Sequence, residues 1–290
     1  MNEEQFKQDV VLALYYLMDW VRLRNRWDLF QNIPAKFQKS EQLKTISDTL
    51  YNIYAFDFKY HHHVNNPVEQ QLIIDLTREL EVFRAGLVAA IKLCSSHAER
   101  GTCDQPKNSQ DGGWIYSGTK GSSSLSVKDL KMRFYINTKT EHLASFVAEL
   151  LNTMPTFHET FRFKFANPLQ AEALDLMRPE KIVLYFPENT NFKAIYPFLY
   201  RVRQYFDKQV PLFVEKVMDG VGYAPHISPA IQRYLDAPTN SYGDTVCNIV
   251  ARSLLSFVIH YSRIPNEKEY RLIADSVYQI IYIQTFRSAA

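Results

Sequence analysis

The 290-residue sequence has few cysteines and few glycines, three and nine respectively. Three irregularly spaced cysteines fit neither a disulfide framework nor paired zinc ligands, so we expect free, buried thiols in a reducing compartment. The formal net charge is only +2, which excludes a bulk polyanion binder such as a nucleic-acid coat protein. Any anion-binding site must therefore be local.

Long apolar runs are also missing. The N-terminus begins acidic and Asp19 interrupts its apolar segment, so the sequence shows neither a signal peptide nor a transmembrane helix. We expect a cytoplasmic protein that binds neither membrane nor nucleic acid. Three consecutive histidines, His61, His62 and His63, point in different directions on any regular backbone and lack metal-ligand spacing. The sequence therefore predicts no metal and no cofactor.

Amphipathic periodicity is plentiful. Apolar residues recur at helical spacing over residues 4–24, 41–54, 68–97, 141–151, 191–206, 244–261 and 267–286. Glycine and serine then concentrate within residues 101–124, in a chain that is otherwise poor in glycine. This stretch suggests a boundary between a helical N-terminal region, 1–98, and a second domain, 99–290.

Three short segments alternate apolar and polar residues with the period of a β-strand. They are KMRFYIN at 131–137, FRFKF at 161–165 and KIVLYF at 181–186. The pattern predicts an α+β fold, with a small, antiparallel-rich mixed sheet backed by helices, a helical N-terminal region and two C-terminal helices. If the three strands pair, one sheet face carries Lys131, Arg133, Tyr135, Arg162, Lys164, Lys181 and Tyr185.

This polar face has two interpretations. Lysine and arginine commonly occupy the solvated face of an antiparallel sheet, where they discourage edge pairing. A merely solvated face is expected to mix both signs of charge, however, because the chain contains 31 acidic residues. No carboxylate falls on this face in the three segments, which favours a site for an anion.

The order of these segments resembles the OspF/SpvC phosphothreonine lyases. Four further segments, GGW, RPEKIVLYF, PLFVEKVMDGVGYA and SYGDTVCNIVARSL, are similar to the bacterial HopA-type effector family, whose relatives include the phosphopeptide lyases of class V lanthipeptide biosynthesis. The resemblance covers roughly residues 45–260. It implies elimination of phosphate from phosphothreonine or phosphoserine in a peptide or protein, without metal, to leave a dehydroamino acid. It also implies an upstream kinase that supplies the phosphate.

The resemblance assigns roles to individual residues. Lys164 matches the general-base lysine, Arg133 and Arg178 match phosphate-binding residues, and Tyr185 matches an active-site tyrosine. Tyr135 stands where OspF/SpvC carry the histidine that protonates the leaving group. A phenol, with an unperturbed pKa of about 10, is a poorer acid than imidazole at neutral pH.

A second departure from the lyases is Pro187, which stands where they carry a phosphate-binding lysine. Lys181 and Lys216 are the candidates to replace that charge. Lys131 and Arg162 are further candidate phosphate contacts because they share the polar face.

Two functional hypotheses follow. The first is a phosphothreonine/phosphoserine lyase. The second is a non-catalytic, effector-like module that binds a phosphorylated or acidic protein partner through the same basic face. The resemblance also leaves secretion as an effector open.

Overall fold

The computed structural model describes residues 2–55, 68–125, 129–176, 178–187, 190–193, 195–224, 231, 234–235 and 241–286. Within these ranges, the side chains of residues 68–75, 131, 173–174 and 283–286 are not described. The three consecutive histidines lie outside the described residues. No group of histidine, cysteine and acidic side chains suited to a metal ion occurs among the residues that are described.

Most helices follow the predicted periodic segments, but the helix within 191–206 is shorter than predicted, and a four-residue helix at Ala173–Leu176 falls in none of those segments. The helices are α1 (Glu3–Leu23), α2 (Glu41–Ala55), α3 (Val68–Glu99), α4 (Leu143–Thr153), α5 (Ala173–Leu176), α6 (Ile195–Arg201), α7 (Tyr242–Tyr261) and α8 (Tyr270–Phe286). The side chain of Asn2 caps α1 by accepting a hydrogen bond from the Gln5 N–H. Within the described part of the chain, no helix combines the length and the apolar character needed to cross a bilayer.

The chain divides into two compact units. The first consists of Met1–Phe58, Leu212–Glu215 and His226–Ala290. In this unit α2 packs against α7, and α1 packs against α8. Residue contacts divide the chain differently from the ranges 1–98 and 99–290. The helix α3 packs against α4 and belongs to the second unit. As independently folding domains, those ranges stay a prediction.

Asp9 of α1 is buried in the first unit. Its carboxylate accepts hydrogen bonds from the Phe213 backbone N–H at 2.9 Å and from Gln5 Nε2 at 2.8 Å. Burial raises the pKa of Asp9 from 3.8 to about 6, although both hydrogen bonds oppose the shift. Phe213 has a φ of 65°, which a bulky residue rarely adopts, so the carboxylate fixes an unusual backbone conformation.

Asp9→Asn is expected to change how stability depends on pH. Because the folded-state pKa of Asp9 lies above its unfolded value, its stabilising contribution is complete below about pH 4 and is lost as pH rises through about 6. Relative to the variant, the wild-type free energy of unfolding should therefore fall by about 2 kcal/mol between about pH 4 and pH 7. Urea denaturation of both proteins across this range measures the difference, and parallel curves would contradict it.

The second unit, Lys59–Pro211 and Lys216–Pro225, is built on a sheet. Its strands are β1 (Lys107–Asn108), β2 (Trp114–Gly118), β3 (Leu130–Ile136), β4 (Arg162–Ala166), β5 (Ile182–Pro187), β6 (Glu215–Met218) and β7 (Val221–Ala224). They are ordered β1-β2-β4-β5-β3-β7-β6. Every pair with a defined register is antiparallel, so the predicted antiparallel-rich mixed sheet contains no parallel pair among these registers. The three predicted strands are neighbours, as expected.

One face of this sheet is the core of the second unit. Phe134 of β3 and Phe163 of β4 are fully buried, and they belong to the same hydrophobic cluster as Phe83 of α3 and Phe146 of α4. Because side chains alternate along a strand, the residues on either side of Phe134 and of Phe163 point to the opposite face of the sheet. The predicted α+β fold is thereby confirmed, and the helices that cover one face leave the charged residues together on the other.

Candidate functional site

Two adjacent rows of side chains cross the polar face of the sheet. In the first row, Arg133 pairs with Tyr185, which pairs in turn with Arg162. The guanidinium carbon of Arg133 lies 5.6 Å from the Tyr185 ring centre, and that of Arg162 lies 5.1 Å from the Tyr116 ring centre. Arg133 is buried and Arg162 is half-buried. Each cation of this row therefore lies within cation–π range of an aromatic ring.

The second row contains Lys164 and Tyr135. Tyr135 pairs with Val183, Val183 pairs with Lys164, and Lys164 pairs with Tyr116. Neighbouring strands are about 4.8 Å apart, so the backbones at Tyr135 and Lys164 are separated by about 10 Å, with buried Val183 between them. Long side chains from the two positions can reach one small group from opposite sides.

Lys164 lies against aromatic rings. Its Nζ is 3.8 Å from the Trp114 ring centre and 6.0 Å from the Tyr185 ring centre. Among the described residues, it forms no salt bridge. The aromatic faces attract the ammonium group without neutralising it, so its charge is still available to an anion.

Burial is the main cause of a lowered pKa at Lys164. Tyr116 and Glu180 favour the ammonium form and oppose the shift, whereas the positive charges of Arg178 and Arg133 add to it. A lysine with a lowered pKa has a larger neutral fraction near pH 7, and only the neutral amine is a base.

Arg178 lies in the segment between α5 and β5, outside the three predicted strands, and its side chain reaches the polar face of the sheet. Its Nε donates to Asp175 Oδ1 at 3.1 Å, and its Nη1 donates to Glu180 Oε1 at 3.4 Å. Its guanidinium carbon also lies 5.3 Å from the Trp114 ring centre. The face therefore has carboxylates at its border, contributed by residues outside the three strand segments. These carboxylates orient Arg178 beside Lys164.

We call Arg133, Arg162, Lys164 and Arg178 the basic cluster. Rings and cations alternate through it, from Arg133 by way of the Tyr185 ring to Lys164, and from there by way of the Trp114 ring to Arg178. Cation–π contacts of about 0.5–2 kcal/mol each offset part of the repulsion between these like charges. The arrangement can hold a multiply charged oxyanion, which would stabilise the charges further.

Lys181 lies on the same face but outside the basic cluster. Its buried Nζ donates to Asn137 Oδ1 at 2.7 Å, and Asn137 Nδ2 donates to the Gln209 carbonyl at 3.1 Å. Burial lowers the pKa of Lys181 to about 8, although the charge of Asp207 opposes the shift. This lysine ties the ends of β3 and β5 to the segment that contains Gln209.

Of the other two candidate lysines, only Lys216 has a described side chain, and it lies away from the basic cluster. Lys131 lies within β3, and its side chain is outside the described part of the structure. Lys216 is exposed on β6, at the edge of the sheet beyond β7, where its Nζ pairs with Asp219 at 2.6 Å. An exposed pair of this kind contributes little energy.

Sequence reasoning did not select Trp114, Tyr116 or Glu180 as site residues. A signal existed for the first two, because strand alternation in WIYSG places both rings on one face of β2. What was missing was the register that sets β2 beside β4. The signal for Glu180 was its position two residues after Arg178, from which its carboxylate accepts a hydrogen bond from the guanidinium.

An antiparallel sheet with helices on one face and a basic, ring-lined cluster on the other defines an α+β protein whose polar face suits an anion. The chain belongs to the HopA1 effector protein family, whose model matches residues 107–279. This range contains all seven strands and the whole basic cluster. The predicted membership of the HopA-type family is thereby confirmed, and it agrees with a bacterial origin. A cytoplasmic location and secretion stay predictions.

Solved structures similar to this chain include two effector proteins. One is the effector protein from Pseudomonas syringae pv. syringae strain 61, at 11% identity and a TM-score of 0.46, covering 94% of this chain and 93% of that one. The other is the effector protein from Pseudomonas syringae pv. tomato strain DC3000, at 12% identity and a TM-score of 0.48, covering 92% and 93%. A comparison with curated proteins finds no match.

Proposed function

We propose that this protein is a metal-independent lyase that eliminates phosphate from phosphothreonine or phosphoserine in a peptide or protein. The product is a dehydroamino acid, and a separate kinase supplies the phosphorylated substrate. The observation that carries the proposal is the environment of Lys164, a lysine with a lowered pKa set between aromatic rings and beside arginines. A chain that makes dehydroamino acids would serve either effector action on a target protein or peptide biosynthesis of the lanthipeptide kind.

Lys164 acts as the general base. The α-proton of a peptide residue is weakly acidic, so its removal requires a base held close to it and positive charge near the enolate that develops. Burial and the neighbouring charges of Arg133 and Arg178 increase the neutral fraction of the Lys164 amine. The same arginines then stabilise the negative charge that forms as the proton leaves.

Arg133 and Arg178 hold the phosphate. Arginine suits this role because its planar fork presents donors that match two phosphate oxygens. Asp175 and Glu180 fix the orientation of Arg178, and the Tyr185 ring lies beside Arg133. Arg162 lies in the same row as Arg133 and adds positive charge.

Tyr135 donates the proton to the leaving group. The Lys164 amine takes the α-proton, the electrons of that C–H bond form the Cα–Cβ double bond, and the Cβ–O bond breaks. The phosphate leaves with the electron pair of that bond and takes the phenolic proton of Tyr135. The location of Tyr135 and Lys164 on either side of Val183 supports this division of work, because a substrate residue bound over Val183 would have the base on one side and the acid on the other.

Mass spectrometry of phosphothreonine and phosphoserine peptides incubated with the protein tests the proposal. Elimination removes the elements of phosphoric acid, whereas hydrolysis removes phosphate and adds water, so the product mass separates a lyase from a phosphatase. Trapping the product with a thiol identifies the new double bond. Peptides that stay intact but bind in an Arg133- and Arg178-dependent manner would support the non-catalytic binding module instead.

Lys181→Met should leave phosphate binding almost unchanged. The Nζ of Lys181 donates a hydrogen bond to Asn137 and lies outside the basic cluster, whereas Arg133 belongs to that cluster. We expect affinity for a phosphonate analogue of phosphothreonine, which cannot be eliminated, to change less than about twofold, while Arg133→Met lowers it about tenfold or more. Calorimetric titration of both variants measures this. Equal losses would place Lys181 in the phosphate site.

A further inference from the structure

We infer that Trp114 is a positioning residue, whose indole ring holds the Lys164 ammonium group and sets the balance between its charged and neutral forms. Its contribution to catalysis rests on the proposed function. The contact itself does not, since Lys164 Nζ lies 3.8 Å from the ring centre whatever the reaction.

The backbone around Trp114 is tied down on both sides. Its N–H donates to Ser109 Oγ at 3.0 Å, and its carbonyl accepts from the Ser109 N–H at 2.8 Å. Buried Asn167 holds the preceding turn, donating from Nδ2 to the Gly112 carbonyl and from its backbone N–H to the Gly113 carbonyl. The turn needs glycine at Gly112, where φ is 75°. These hydrogen bonds fix the backbone of Trp114, and thereby the point from which its indole ring extends.

The register then directs the indole toward Lys164. Trp114 pairs with Ala166 on β4, and Lys164 is its diagonal neighbour on the same face. The small side chain of Ala166 leaves room for the large ring, which can reach a diagonal position about 7 Å away. The same ring lies within cation–π range of Arg178. One side chain thus contacts both the proposed base and the proposed phosphate clamp.

A ring in this position opposes the effect of burial. Its negative face favours the ammonium form of Lys164, whereas burial and the arginines favour the neutral amine. Trp114 therefore keeps Lys164 protonated up to a higher pH than burial and the arginines alone would allow, and so helps to set the pH at which the neutral base forms. This role depends on the electron density of the ring, while a packing role depends only on its shape.

Fluorinated tryptophan separates electron density from shape. The chain has three tryptophans, so Trp20→Phe and Trp27→Phe leave Trp114 as the single site for mono-, di- and trifluorotryptophan. The pH dependence of Lys164 acylation, followed on the peptide by mass spectrometry, gives its titration midpoint without requiring turnover. Exposed Lys139 is the control within each sample.

We expect the Lys164 midpoint to fall stepwise with each fluorine, by about 0.5 to 1 pH unit over the series, while that of Lys139 stays constant. A midpoint that does not move with fluorination would overturn the inference and leave Trp114 as a packing residue. If the midpoint moves but no peptide loses phosphate, the proposed function fails and the inference stands. In an active lyase, the acid limb of kcat/KM against pH should shift with the midpoint.

Discussion

Lys164→Ala is expected to lower the rate of phosphate elimination by about 10³-fold, the range typical of losing a general base. Affinity for a non-eliminable phosphonate peptide should fall much less, because Arg133 and Arg178 remain. The rate is followed by the appearance of dehydroamino acid in the peptide mass spectrum. If turnover falls much more than binding, Lys164 acts as a base and not only as a positive charge that binds the phosphate.

Three comparisons sharpen this result. Lys164→Arg keeps the charge but not the base, since guanidinium stays protonated at any accessible pH, and it should be as inactive as the alanine variant. Small primary amines added to Lys164→Ala should restore part of the rate. Lys139→Ala, which removes an exposed lysine outside the basic cluster, should be fully active. An active Lys164→Arg variant would remove Lys164 from the role of base.

The pH dependence follows from the same residue. A lysine base acts only when neutral, so the rate should rise as pH increases through the pKa of Lys164. Burial lowers that pKa from its ordinary value of 10.5, which moves the rise toward neutral pH.

Tyr135→Phe is expected to slow elimination from phosphothreonine by about 10²-fold, with little change in peptide affinity. The variant keeps the aromatic ring at the position paired with Val183 and removes only the hydroxyl that donates the proton. Turnover and phosphonate binding, measured on the same preparation, separate the two effects. Wild-type turnover in Tyr135→Phe would show that the proton comes from another group.

The leaving group provides the matched control for Tyr135. Sulfate is a much weaker base than phosphate and leaves without a proton, so Tyr135→Phe should slow elimination from a threonine sulfate ester far less than from the phosphate ester. Tyr135→His should restore elimination from the phosphate ester, because imidazole is the better acid near neutral pH. Equal slowing with both esters would point to a role in positioning and not in proton transfer.

Much of the secondary structure was predictable because it depends on local periodicity. Apolar spacing located α1, α2 and α3 within a few residues of their observed ends, and strand alternation separated the buried phenylalanines of β4 from Arg162 and Lys164. These patterns survive in the fold because each element buries its own apolar side. The HopA-type resemblance rested on short segments, and the family match over residues 107–279 confirmed it.

The division into units was not predictable in this way. The sequence pattern places α3 in a helical N-terminal region. In the structure, however, α3 packs against α4 in the unit that contains the sheet. The C-terminal helices α7 and α8 belong instead with α1 and α2. Which helices share a core depends on how their apolar faces fit one another, and periodicity reports only that such faces exist.

By itself, the sequence determined the elements, the basic composition of one sheet face and the family, because alternation and short motifs are properties of neighbouring residues. Only the tertiary structure decided which cations work together. Register and strand order brought Trp114 to Lys164 and to Arg178, and placed Lys181 beside Asn137. The physical reason is that burial, cation–π contact and charge coupling depend on distances of a few ångströms between residues that are far apart in the chain.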